Sequence, residues 1–172
     1  MVLNQREIEK LIIEMQSQKE ALSQLYELMY NDVFRYIFSI VNSREYAQDL
    51  AHDTFLHIYK NAKQYQTKGH PTAWIMTISR NVTYMSLRKT NREKTVHYDI
   101  DQIDESMGMI HDKILIEKML NTLTMQEREI IVLHVVEGLT FREIAYIMDC
   151  KLSTVLNKYH RSIKKLKKSL EV

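Results

Sequence analysis

A chain of 172 residues with 45% hydrophobic content can bury the core of one ordinary domain or of two small ones. Three glycines, one proline and a single cysteine, Cys150, exclude a turn-rich β architecture and an internal disulfide framework, and predict an all-α protein of a reducing, cytoplasmic compartment. The net charge of +2 excludes no partner class, but its distribution is uneven, with two basic blocks on either side of an acidic one.

The opening stretch MVLNQREIEKLIIEMQSQKE alternates charge with apolar residues, so it reads as neither signal peptide nor membrane span. Leu22, Leu25, Tyr26, Met29, Val33, Tyr36, Ile37 and Ile40 recur at helical spacing and predict one long helix or two in line. NSRE at 42–45 reads as a capping box, opening a helix with Ala47, Leu50, Ala51, Phe55, Ile58 and Tyr59 on neighbouring faces. KQYQTKGHP brings Gly and Pro together and predicts a loop. Pro71 suits the first turn of a third helix, with Trp74, Ile75, Ile78, Val82 and Met85 inward. Its outer face and tail carry Arg80, Arg88, Lys89, Arg92 and Lys94 against Glu93 alone.

From about 95 the helical period lapses and Asp99, Asp101, Asp104 and Glu105 accumulate, which predicts an acidic linker over 95–112 between domains at 1–94 and 113–172. Helical spacing resumes at Ile114, Leu115, Met119 and Leu120. TMQE at 124–127 is a capping box for a helix with Ile130, Ile131 and Leu133 inward, ended by Glu137-Gly138. TFRE at 140–143 is another, for a short helix burying Ile144, Ala145 and Ile147. Ser153 is the expected N-cap of the last helix, with Val155, Tyr159, Ile163, Leu166 and Leu170 toward the core. Between Cys150 and Leu170 there is no carboxylate, but there are six lysines and Arg161.

The last two helices have the anatomy of a helix-turn-helix, whose outer face offers Thr154, Asn157, Lys158, His160 and Arg161. Asn and Arg can pair with base edges, while Lys, Ser and Thr reach phosphates. Taken alone, the same residues also fit a solvated cationic face at the negative end of a helix. Tyr84 among the cations of 80–94, beside Tyr65, Lys68 and His70 of the loop, suits single-stranded nucleic acid, where rings stack on bases while charges track the backbone. A plain surface helix fits that composition equally. Asp49 and Asp53 with His52 and His57 do not place metal ligands on one face, and an acidic face, either solvated or protein-binding, fits better. No nucleophile–base pair, phosphate loop or metal cluster is visible, so neither a catalytic residue nor a cofactor is expected. The ten methionines read as core packing.

LYELMYNDVFRYIFSIV, YAQDLAHDTFLHIYKN and PTAWIMTISRNVTYMSLRK resemble successive parts of region 2 of the sigma-70 superfamily, specifically its extracytoplasmic-function (ECF) sigma factors. LNTLTMQEREIIVLHVVEGLTFREIAYIMDCKLSTVLNKYHRSIKKLKKSL resembles region 4 of that family. The resemblance implies two helical domains and a factor that directs RNA polymerase to promoters. Asp49, Leu50, Asp53 and Phe55 match the surface that docks on the clamp helices of the largest polymerase subunit. Tyr65, Lys68 and His70 of the loop, with Arg80, Asn81, Tyr84, Arg88 and Lys89, match the elements that hold a flipped base and the melted minus-ten strand. Arg142, Ser153, Thr154, Asn157, Lys158, His160 and Arg161 match the reader of the minus-thirty-five duplex. The expected partners are core polymerase (clamp helices and flap), promoter DNA and an anti-sigma factor.

This chain departs from the family pattern at His52, where Gln is usual, at Met85, where Asp is usual, and at Asp149, where the turn usually carries Gly. Asp149 or Cys150 is therefore expected to take the left-handed turn conformation. Two other readings compete: a stand-alone helix-turn-helix regulator with a helical dimerisation or sensor domain, and a helical adaptor that binds protein alone.

Overall fold

The computed structural model describes residues 5–67, 69–90, 120 and 122–170. The expected linker at 95–112, Ile114, Leu115, Met119, Arg92, Lys94 and Lys68 lie outside them. Among the described residues every regular element is helical. In chain order these are α1 (Gln5–Glu14), α2 (Glu20–Val41), α3 (Arg44–Asn61), a 3-10 turn (Ala62–Gln64), α4 (Pro71–Thr90), α5 (Met125–Ile131), a π-helical turn (Val132–Val136), α6 (Phe141–Ile147) and α7 (Leu152–Leu170).

Helices α1 to α4 form one bundle around Leu25, Met29, Tyr36, Ile37, Ile58, Ile75 and Met76, all fully buried. Helix α1 joins it through Ile8, Leu11 and Ile12, an apolar stripe within a stretch that the sequence pattern describes only by what it is not. Helix α2 is one continuous helix ended by Asn42, left-handed at φ 51°, whose N–H bonds Phe38 O. Ser43 then caps α3 by accepting from Tyr46 N, so the expected box at 42–45 is a simple cap shifted by one residue. Pro71 opens α4 as expected. Its inward face differs, however: Met85 is 52% exposed, while Ser79 and Thr83 are fully buried. Both hydroxyls donate to the carbonyl one turn back, Ser79 to Ile75 O and Thr83 to Ser79 O, which satisfies them inside an apolar environment.

The second half is built on two reciprocal capping boxes, Thr124 with Glu127 and Thr140 with Glu143. Gly138, at φ 70°, closes the π turn in the left-handed conformation. His134, Phe141 and Tyr159 pack ring on ring, with centroids 4.1 Å apart for the first pair and 4.9 Å for Phe141–Tyr159. The two halves meet directly: α5 packs on α2, and α6 packs on α4.

Candidate nucleic-acid interface

The helix pair α6–α7 is joined by a turn with defined chemistry. Asp149 is left-handed, at φ 49°; its N–H bonds Tyr146 O and that of Cys150 bonds Ala145 O. This is the two-bond helix stop usually built on glycine, here accommodated by Asp. Helix α7 begins at Leu152, two residues earlier than a Ser153 cap would place it. Lys151 O accepts the first helical bonds, from Thr154 N and Val155 N, and Ser153 lies in the first turn instead of capping it.

Along α7, Ser153, Asn157, His160 and Arg161 are exposed, spaced so that they share a face, while Val155 and Ser162 are buried on the opposite one. Thr154 and Lys158 are half-buried, with Lys158 Nζ 2.8 Å from Gln126 Oε1. Lys165 is tied at 2.7 Å to Glu127. Burial pushes the Glu127 carboxyl up, but hydrogen bonds from Lys165 and Thr124 outweigh it and hold the group below the ordinary range. Arg142 is exposed on α6, toward the first half.

In the first half, the loop and the start of α4 place Tyr65 edge-on to Trp74 at 5.1 Å. Helix α1, with Gln16 just past its end, braces this segment at three points. Tyr65 donates to Glu9, Thr72 Oγ1 donates to Gln5 Oε1 at 3.1 Å, and Gln16 Nε2 donates to Ala62 O at 3.1 Å. Asn81, Arg88 and Lys89 are exposed along α4. Arg80 and Tyr84 are not, because both turn onto a carboxylate of the second half. His70, though exposed, is also engaged across the halves, with Nδ1 3.1 Å from Glu143 Oε1.

On α3, Asp49, His52 and Asp53 are exposed, and Leu56 is 53% exposed. Leu50 and Phe55 lie at 3%, inside the core. Of the four residues expected on the docking surface, the two acids are therefore exposed, whereas Leu50 and Phe55 lie beneath that face. His52 Nε2 lies 2.8 Å from the Tyr26 hydroxyl, beside a row of rings along α2 in which Tyr26–Tyr30, Tyr30–Phe34 and Phe34–Phe38 stack at 4.9, 6.0 and 5.8 Å. Among the described residues no group of three or more His, Cys, Asp or Glu side chains could hold a metal ion.

These faces coincide with two family matches, Sigma-70 region 2 over residues 25–93 and Sigma-70, region 4 over residues 113–166. The chain belongs to the sigma-70 family. Among its relatives, the ECF RNA polymerase sigma factor SigX of Bacillus subtilis (strain 168) is 22% identical over 90% of this chain and 86% of its own length. RNA polymerase sigma factor YlaC of the same organism is 24% identical over 88% and 93%. Two solved structures share the fold. The sigma factor RpoE from Bartonella quintana, in complex with the anti-sigma factor NepR, has a TM-score of 0.75 at 24% identity over 87% of this chain and 96% of that one. CnrH, in complex with the cytosolic domain of CnrY, has a TM-score of 0.71 at 18% identity over 96% and 97%. The protein is thus an ECF sigma factor, which directs RNA polymerase to promoters.

Contacts that the sequence reading missed hold region 2 and region 4 of this sigma factor together. Glu129, fully buried, receives hydrogen bonds from Tyr36, Arg80 and Tyr84. Arg128 Nη1 donates to Ser39 O at 3.2 Å. Arg35 Nε stands 3.4 Å from Glu137 Oε1. Glu129 did leave a signal: with Met125 four residues before it and Leu133 four after, it occupies the apolar stripe of its helix. An acid in that position needs a buried partner. Between the halves runs a groove of about 970 Å³ lined by Tyr65, His70, Trp74, Phe141, Arg142 and Tyr146, among others.

Proposed function

We propose that this sigma factor initiates transcription through three separate faces. The exposed acids Asp49 and Asp53, backed by Leu50 and Phe55, dock on the clamp helices of core polymerase. The braced loop with Tyr65, Lys68 and His70, and α4 with Arg80, Asn81, Tyr84, Arg88 and Lys89, hold the melted minus-ten strand. Helix α7 enters the major groove of the minus-thirty-five duplex through Ser153, Thr154, Asn157, Lys158, His160 and Arg161, with Arg142 at its edge. The observation that carries this reading is the exposed polar and cationic face of α7 on a helix-turn-helix.

Electrostatic attraction to phosphates supplies much of the DNA affinity and makes it salt-dependent. Two modest contacts gain strength because polymerase and the segment at 95–112 fix the separation of the domains 1–94 and 113–172. The sigma factor itself catalyses nothing and works in the cytoplasm. An anti-sigma factor is a reasonable further partner, because RpoE and CnrH are each found bound to a partner protein.

Run-off transcription with purified core polymerase on genomic fragments tests the reading. New transcripts that depend on the added protein are expected. No transcript, together with tight specific duplex binding in the absence of polymerase, would support the stand-alone regulator instead.

A further inference from the structure

Tyr36, Arg80 and Tyr84 converge on one point of region 2, and nothing in the sequence motifs singles out Tyr36. The Tyr36 hydroxyl and Arg80 Nε donate to the same oxygen, Glu129 Oε1, at 2.5 and 2.8 Å. The Tyr84 hydroxyl donates to Oε2 at 3.1 Å, and the Arg80 guanidinium lies 4.5 Å from the centre of the Tyr84 ring. All three donors come from α2 and α4, and the acceptor comes from α5. Two phenols and a guanidinium around a pair of oxygens form a socket for an oxyanion. A carboxylate and a phosphodiester both present such a pair.

We propose that this socket binds a phosphodiester of the opened DNA strand, and that Glu129 fills it in the closed molecule as a built-in competitor. Tyr36 and Glu129 are fully buried, so no strand reaches the socket while region 4 is in place. Arg80, Tyr84 and Arg88 are spaced four residues apart on α4 and share one face, which leads from the socket to an exposed cation. A backbone held at Arg88 therefore runs toward the socket once region 4 moves away. Opening of the wild type gives up three hydrogen bonds to a buried carboxylate, so it is favoured where another anion takes the place of Glu129. Strand binding and domain opening are coupled, and each promotes the other by the same factor. This inference rests on the assignment of α4 as a strand-binding helix, and the experiment separates the two.

The full chain is titrated with a fluorescein-labelled oligothymidine strand, followed by anisotropy, while small-angle X-ray scattering reports the radius of gyration. Glu129→Ala is expected to enlarge the radius and to tighten strand binding roughly tenfold, because the competent form no longer has to be drawn from a small population. Adding Tyr36→Phe to that variant is expected to return most of the gain while the radius stays large. A saturating strand is expected to swell the wild type as well, an arm that needs no variant to fold. A strand-bound wild type of unchanged radius overturns the inference, as does a Glu129→Ala protein that opens without binding more tightly. If binding by the opened protein ignores Tyr36→Phe but falls with Arg88→Ala, the socket is wrong and the strand-binding helix stands. If it ignores both, the strand assignment has failed as well.

Discussion

Tyr65 donates its hydroxyl to Glu9 Oε1 at 2.7 Å, joining two residues 56 apart in sequence. Burial, the hydrogen bond and the nearby Glu9 charge together raise the phenol above its ordinary range, so the hydroxyl stays a donor. Helix α1 precedes the region 2 match that begins at residue 25, yet it fixes the ring that stands against Trp74. Glu9→Ala removes the acceptor. It is expected to cost about 1 kcal/mol, a fall in Tm of roughly 2–4 °C, and to weaken holoenzyme binding to forked promoter DNA. Thermal unfolding and fork binding check this; a stable variant with unaltered fork binding would show that the brace does nothing for the loop.

The acidic face of α3 makes a prediction in which location separates two kinds of loss. Asp49→Asn with Asp53→Asn changes only exposed charge, so the fold persists while affinity for core polymerase falls several-fold. Leu56→Ala, on the same exposed face, is expected to act in the same direction. Leu50→Ala instead empties a core position and costs about 2–5 kcal/mol of stability. Competition for core polymerase, run beside thermal melts, measures both. Core affinity unchanged by the double substitution would remove this face from the docking surface.

The fold was most legible where local chemistry decides it. Thr124 and Thr140 announce their helices because each cap and its partner glutamate lie three residues apart, and both boxes form as read. The glycine-free turn was legible for the same reason, with Asp149 taking the left-handed conformation. The inward face of α4 was not: Ser79 and Thr83 look polar in a pattern, but back-bonding to the preceding turn lets them pass as core, and Met85 is displaced outward. The site at Glu129 was hidden for a different reason. Its partners lie 93, 49 and 45 residues away, and periodicity carries no information about which distant helix supplies a donor. Leu50 and Phe55 show the converse: a motif transferred by resemblance names a face without saying which of its residues point outward.

Glu137 gives the contact between the halves a pH dependence. Burial pushes its carboxyl up to about 7; the Arg35 guanidinium opposes the rise and the Asp32 carboxylate adds to it. An exposed glutamate in the opened or unfolded chain titrates near about 4.3. The closed form therefore has its full advantage below that value and loses it as pH rises through about 7. Glu137→Gln removes the ionisation and is expected to flatten the trend. Urea midpoints for both proteins across this range supply the test, and a constant gap between them would rule the effect out.

The last prediction concerns α7, where position along the helix sorts specific from general contacts. Asn157 and Arg161 are exposed near its middle and carry the side chains best suited to base edges. Lys167 and Lys168 lie in its last turn and can reach only backbone charge if the first turns enter the groove. Asn157→Ala or Arg161→Ala should cost about 1–3 kcal/mol on the cognate upstream duplex and little on a shuffled one. Lys167→Ala should weaken both duplexes equally and reduce the salt dependence by about one ion. Holoenzyme binding to the two duplexes over a salt series distinguishes these outcomes. Equal losses on both duplexes for Asn157→Ala and Arg161→Ala would mean that this face holds DNA without reading it.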